Sequence, residues 1–189
     1  MSRELTQLKL IERSILKKYR KELWRPFTYA VKRYELIQPG DKIALGHHFN
    51  DVVEMTVIGM FCGSQLQVVP PKLHSTSFPG MTLIRPMYCI REEDILAWKR
   101  YNDLEFIQCA CRFTENCTMC DNGGGGSKRQ EVKTLLRRLK RDNPDIEKSI
   151  FNSIHSVCLD TFAGYKTGGT AHSFLENYDR RGQTPAGLE

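Results

Sequence analysis

Apolar residues recur every three or four positions from about Arg3 to Tyr34. Leu8, Ile11, Ile15 and Tyr19 fall on one helical face, and Trp24, Phe27, Val31 and Tyr34 form a second stripe. Pro26 is expected to divide this stretch into two helices. After the turn residues Pro39 and Gly40, Lys42 to Leu45 reads as a short buried strand that stops at Gly46. A helix should follow, capped by Asn50 or Asp51, with Val53, Val57 and Met60 on one face. This strand-loop-helix unit places His47 and His48 at the carboxyl end of a strand, where open α/β sheets bind ligands.

From Val68 to Tyr88 the prolines punctuate β-prone pieces such as Thr82-Leu83-Ile84, which fits a loop with one or two short strands. Glu92 to Tyr101 reads as a helix and Leu104 to Gln108 as a strand. Gly123 to Gly126 form a hinge, and Ser127 with Gln130 is a capping-box signature. The helix it opens carries Val132, Leu135, Leu136 and Leu139 on one face, and Asn143-Pro144 starts a further helix bearing Ile146, Ile150, Phe151 and Ile154. Beyond Gly164 periodicity is lost. The expected organisation is a helical segment over 1–37, a main domain over 38–163 and a disordered tail over 164–189.

Charge adds a partner class to this outline. The formal net charge of +6 points towards a polyanion, with nucleic acid ahead of membrane because no basic helix carries a broad lipid-type apolar face, and no apolar run approaches the ~20 residues of a membrane span. The opening Met1-Ser2-Arg3-Glu4 leads into a charged segment rather than a signal peptide, so a cytoplasmic location is expected. Seven cations, from Lys128 to Arg141, surround the apolar stripe of one helix. They suit either plain solvation or a grip on an RNA backbone.

Cysteine usage supplies the sharpest chemistry. Of seven cysteines, four fall in one short segment, Cys109, Cys111, Cys117 and Cys120, ending in Cys-x-x-Cys. In a reducing compartment such thiols are more often ligands than disulfides. Three readings stand: a structural zinc site, an iron-sulfur ligand set, and accidental proximity. Gly46-His47-His48-Phe49-Asn50-Asp51 brings together two imidazoles and a carboxylate that could bind a nucleotide, accept a proton or ligate a metal. An ordinary capped loop explains them equally well. His74, beside Lys72, reads as polar surface. The glycine run before Ser127 lacks the spacing of a phosphate-binding loop.

Taken in order, several of these segments resemble the tRNA 2-thiocytidine synthetase (TtcA-like) family of ATP-pyrophosphatase (PP-loop) tRNA-modifying enzymes, relatives of the tRNA lysidine synthetases. The resemblance rests on Lys42 to Glu54, Pro71 to Thr76, Leu83 to Tyr88, Glu92 to Ile95, the cysteine cluster, and Ser127 to Val132. It implies an α/β fold with a partial Rossmann-like (adenine nucleotide alpha hydrolase-like) sheet, flanked by N-terminal helices and a C-terminal helical segment. It further implies ATP with magnesium, a [4Fe-4S] cluster, a tRNA substrate and a cysteine desulfurase system as sulfur donor. His47, His48 and Asp51 would line the catalytic cleft, and Lys72, His74 and Arg85 would contact tRNA phosphate or AMP. Cys117 matches a family cluster ligand, with Cys109, Cys111 and Cys120 as further candidates.

The chain departs from the family pattern at one decisive place. The family's pyrophosphate loop, Ser-Gly-Gly-Lys-Asp-Ser, should follow a strand like Asp41 to Ala44, but here the chain runs directly into Leu45-Gly46-His47-His48. The loop and the family's first Cys-x-x-Cys are missing, as though excised. The expectation is therefore a tRNA-thiolation protein that is inactive alone, with a homodimer as one way to cover the sheet edge left behind. The alternative is a non-enzymatic, zinc-stabilised RNA-binding module.

Overall fold

The computed structural model describes residues 2–38, 43–44, 46–75, 79–105 and 128–178. They form two compact units, residues 1–151 and 152–189. The first contains helices α1 (Ser2–Leu16), α2 (Arg25–Arg33), α3 (Phe49–Gly63), α4 (Glu92–Tyr101) and α5 (Lys128–Asp142), with strands β1 (Ile43–Ala44), β2 (Lys72–His74) and β3 (Thr82–Ile84). Helix α6 (Ile146–Ser153) leads into the second unit.

The break expected at Pro26 takes the form of a π-helical turn over Arg20–Trp24, with Pro26 in the first turn of α2. Proline has no N–H to donate, so it belongs at a helix start, and the preceding turn widens to bring the chain there. Helix α1 docks on α4 through specific polar contacts. Trp98 Nε1 donates to Ser14 Oγ at 2.9 Å, and Tyr19 Oη donates to the Ala97 carbonyl at 3.1 Å. Leu8, expected on the apolar face, is 64% exposed.

The sheet has strand order β1-β3-β2. Strands β1 and β3 are parallel, with Ile43 opposite Leu83 and Ala44 opposite Ile84, while β2 runs antiparallel to β3, with Lys72 opposite Ile84 and His74 opposite Thr82. A parallel pair needs a long crossover, and α3 lies within it. The fold of the first unit is thus α/β, with a small mixed sheet.

Helix α3 is buried on most of its circumference. Phe49, Val53 and Val57 pack with Val132 and Leu136 of α5, and Ile58, Ile150 and Phe151 pack against that cluster. Phe151 stacks obliquely on Phe49 at 4.7 Å and on Tyr88 at 5.3 Å, and Tyr88 in turn meets Tyr34 edge-on at 5.4 Å. One aromatic column therefore joins the segment after α2, the segment after β3, and helices α3 and α6. The helix ends at Ser64, whose φ of 51° reverses the chain. The returning chain passes so close that a Cβ on Gly59 would lie 3.0 Å from the Gln65 carbonyl oxygen. Glycine is required there by the close approach of backbone.

In the second unit, β4 (Gly164–Thr167) and β5 (Thr170–Ser173) form an antiparallel hairpin. This corrects the expectation of disorder from Gly164 onwards. The composition is polar, but Gly168 and Gly169 both adopt positive φ and close a two-residue turn, and the Tyr165 and His172 rings stack at 4.9 Å. Residues 106–127, with the expected strand end, hinge and capping serine, lie outside the described residues.

Leu136→Ala should remove about 2–5 kcal/mol of stability because Leu136 sits in the α3–α5 cluster. Leu139→Ala, on the same helix but 38% exposed, should cost far less. Urea denaturation of both variants checks the contrast, and equal losses would place the core elsewhere.

Candidate functional site

The carboxyl ends of the parallel strands β1 and β3 lead to Gly46-His47-His48 and to Arg85. The structure brings His47 and Arg85 near one another: burial, followed by the positive charge of Arg85, pushes the His47 imidazole below its ordinary value. Both effects disfavour the charged imidazolium. Its Nδ1 is buried without a hydrogen-bond partner among the described residues, and so is Arg85 Nε. Arg85 Nη1 donates to the Pro70 carbonyl at 2.5 Å, which fixes the guanidinium against the strand that enters β2. Burial lowers its pKa as well, so this cation sits where an anion or a lone pair would be welcome.

His48 and Asp51 are engaged with each other. His48 is the N-cap of α3: its Nδ1 accepts from the Asp51 backbone N–H at 3.4 Å, while Asp51 Oδ2 accepts from the His48 backbone N–H at 3.0 Å. This reciprocal box replaces the expected capping by Asn50 or Asp51 alone. Asn50 serves a different helix. Its Oδ1 accepts from the Glu92 N–H at 2.9 Å and so closes the first turn of α4.

Behind this loop lies an ion-pair network that no sequence motif announced. Asp51 accepts a hydrogen bond from Arg129 of α5, and Glu54, one turn further along α3, accepts from Arg129 Nε at 2.9 Å and lies 3.6 Å from Lys133 Nζ. The Glu54 side chain is only 4% exposed. Burial raises its pKa despite the opposing pull of Arg129 and Lys133. Burial also works against the Arg129 charge, but Glu54 and Asp51 together hold it above its ordinary value. A second hub is Glu147 of α6, which takes Arg91 at 3.0 Å, Lys140 at 2.9 Å and Asn50 Nδ2 at 3.3 Å. The only available signal for these residues was an acidic side chain inside an apolar helix, Glu54 among valines.

The seven cations of α5 thus divide by role. Arg129, Lys133 and Lys140 pair with carboxylates, whereas Lys128, Arg137, Arg138 and Arg141 are exposed and enter no ion pair among the described residues.

The remaining candidates separate. Lys72 Nζ donates to the Glu35 carbonyl at 2.9 Å. The register sets Lys72 beside Ile84, at the Arg85 end of β3, and His74 beside Thr82, at the opposite end. His74 is exposed and lies at the end of the sheet opposite the strand termini that carry His47 and Arg85. Cys109, Cys111, Cys117 and Cys120 lie outside the described residues. Among the described residues no three of His, Cys, Asp and Glu converge as a metal site would require. No described helix is long and apolar enough to cross a membrane.

A triphosphate does not fit the start of α3. Anions bind helix N-termini through free backbone N–H groups. Here the His48 imidazole takes the Asp51 N–H, and the Asp51 carboxylate stands at the position an anion would need.

No protein-family model matches the chain. Curated proteins do match it. It is 35% identical over 117 residues to the tRNA-cytidine(32) 2-sulfurtransferase of Vibrio parahaemolyticus, covering 61% of this chain and 36% of that protein. The enzyme of the same name from Photobacterium profundum is 36% identical over 117 residues, covering 61% of this chain and 35% of that protein. A tRNA-cytidine(32) 2-sulfurtransferase 1 of Francisella philomiragia is 31% identical over 128 residues, 67% of this chain and 46% of the relative. The chain therefore spans between a third and a half of the length of these curated relatives.

The network makes a pH-dependent prediction. Glu54 holds its proton more tightly folded than unfolded, so its contribution to stability falls as pH rises from the ordinary glutamate value through its higher folded value. Glu54→Gln should abolish that fall. Arg129→Ala should cost about 2 kcal/mol near neutrality, less than the loss for a fully buried pair because the guanidinium is about half exposed. The loss should shrink once both carboxylates are protonated. Thermal unfolding across pH checks both variants, and an Arg129→Ala penalty independent of pH would refute the assignment.

Proposed function

We propose that the chain, which over its aligned stretch resembles the tRNA 2-thiocytidine synthetase (TtcA-like) family, is a tRNA-binding thiolation protein unable to activate its substrate alone. The observation that carries this is the capping box at the start of α3. It occupies with His48 and Asp51 the helix terminus that follows β1, while the sequence there lacks a glycine-rich pyrophosphate loop.

In the complete reaction, ATP with magnesium would supply the adenylyl group that turns a cytidine oxygen into a leaving group, and a [4Fe-4S] cluster would relay sulfur from a cysteine desulfurase system. The chain's own contribution is narrower. His47 presents an unpartnered imidazole nitrogen, and Arg85 an unpartnered N–H, at the end of a sheet that we read as the remnant of a Rossmann-like one. Together they can hold a polar base edge or a phosphate oxygen. Asp51 and Glu54 position this loop through Arg129 rather than touch substrate. Arg137, Arg138 and Arg141 provide a phosphate-facing row, and Cys109, Cys111, Cys117 and Cys120 would hold the metal.

The test is thiolation of a tRNA transcript by the purified chain with ATP, magnesium, iron and labelled sulfide. The expected result is specific tRNA binding without sulfur incorporation. Incorporation would overturn the proposed inactivity, and loss of all tRNA binding would overturn the reading itself. The absorption spectrum and metal content identify the thiol ligand. One equivalent of zinc without a visible charge-transfer band would favour a zinc-stabilised RNA-binding module.

A further inference from the structure

Helix α2 presents a second charged face, remote in sequence from the elements described above. Arg25, Tyr29, Lys32 and Arg33 are exposed, and with part-buried Thr28 they line an open concavity of about 480 Å³. The spacing explains the shared face: positions 25, 28, 29, 32 and 33 follow the three-four repeat of an α-helix. The inner side of the helix carries fully buried Ala30.

Two physical features distinguish this face from ordinary solvated surface. The helix contains three cations and no acidic residue, and none of Arg25, Lys32 and Arg33 enters an ion pair among the described residues. On α5, by contrast, carboxylates take up Arg129, Lys133 and Lys140. Finally, an aromatic ring sits among the cations. Tyr29 is 53% exposed, and the Arg33 guanidinium lies 5.8 Å from its ring centroid.

We infer that this face of α2 is a docking surface for single-stranded or looped RNA, with Arg25, Lys32 and Arg33 on consecutive phosphates and Tyr29 stacking on an unpaired base. The inference deepens the tRNA-binding reading by assigning it a second contact surface. Charge complementarity selects a polyanion. The exposed ring selects one whose charges alternate with flat π faces, which nucleic acid supplies and a lipid surface or sulfated polysaccharide does not. From Arg25 to Arg33 the face runs about 12 Å, eight residues at about 1.5 Å each, enough for two or three phosphates.

Binding of the full chain to an unmodified tRNA transcript, followed by fluorescence anisotropy, tests this without any chemistry. Lys32→Glu with Arg33→Glu should weaken binding at least tenfold, and Lys32→Gln with Arg33→Gln should flatten the dependence of log affinity on log salt by about 1.4. Tyr29→Ala should weaken tRNA binding about tenfold yet leave heparin binding unchanged, because heparin has charge but no base. Circular dichroism of each variant confirms that α2 is intact. Unchanged tRNA affinity in both double variants would overturn the surface while leaving the thiolation reading intact. Equal effects of Tyr29→Ala on heparin and tRNA, or tighter binding to anionic phospholipid vesicles than to tRNA, would also overturn it. Failure of the thiolation reading is registered separately, by sulfur incorporation.

Discussion

Two carboxylates on a helix whose buried side is mostly phenylalanine and valine set the terms for the first unit. Asp51 and Glu54 are both buried on α3, and a buried carboxylate without partners is expensive to maintain. Arg129 bridges the two, and Lys133 reaches Glu54 from the next turn of α5. Apolar packing and ion pairing thus act together at the α3–α5 contact. Glu147 plays the same part between α6, Arg91 and Lys140.

This arrangement has a consequence for chemistry. The loop after β1 carries three residues of catalytic type, but the fold uses two of them to start a helix. His48 and Asp51 satisfy one another's backbone N–H groups, and Asp51 also receives Arg129. What is left for a ligand is His47 Nδ1 and Arg85 Nε, brought together by two parallel strands far apart in sequence. The same capping box that orders the loop closes the helix terminus to phosphate.

Much of the local structure was legible in the chain. The helix over Glu92–Tyr101, the stripe of Val132 and Leu136, the strand residues Thr82-Leu83-Ile84 and the break at Pro26 all followed from periodicity and turn chemistry. These are short-range effects. Less legible were the identity of the helix cap, where His48 acted in place of Asn50 or Asp51, and the hairpin after Gly164, whose polar composition concealed a two-glycine turn and a stacked Tyr165–His172 pair. Leu8 fell on a helical stripe yet faces solvent, because α1 docks on α4 through Ser14 and Trp98 instead.

By itself, the sequence determined where most of the helices lie, where a basic surface could arise, and that no glycine-rich run stands between Ala44 and His48. Each is a property of neighbouring residues. Only the tertiary structure decided which charges remain available. Arg129, Lys133 and Lys140 look no different from Arg137, Arg138 and Arg141 in the sequence, but α3, α4 and α6 present carboxylates to the first set and not to the second. Nor could the sequence separate His47 from His48. Burial and hydrogen-bond partners made that distinction, and burial depends on contacts between residues distant along the chain.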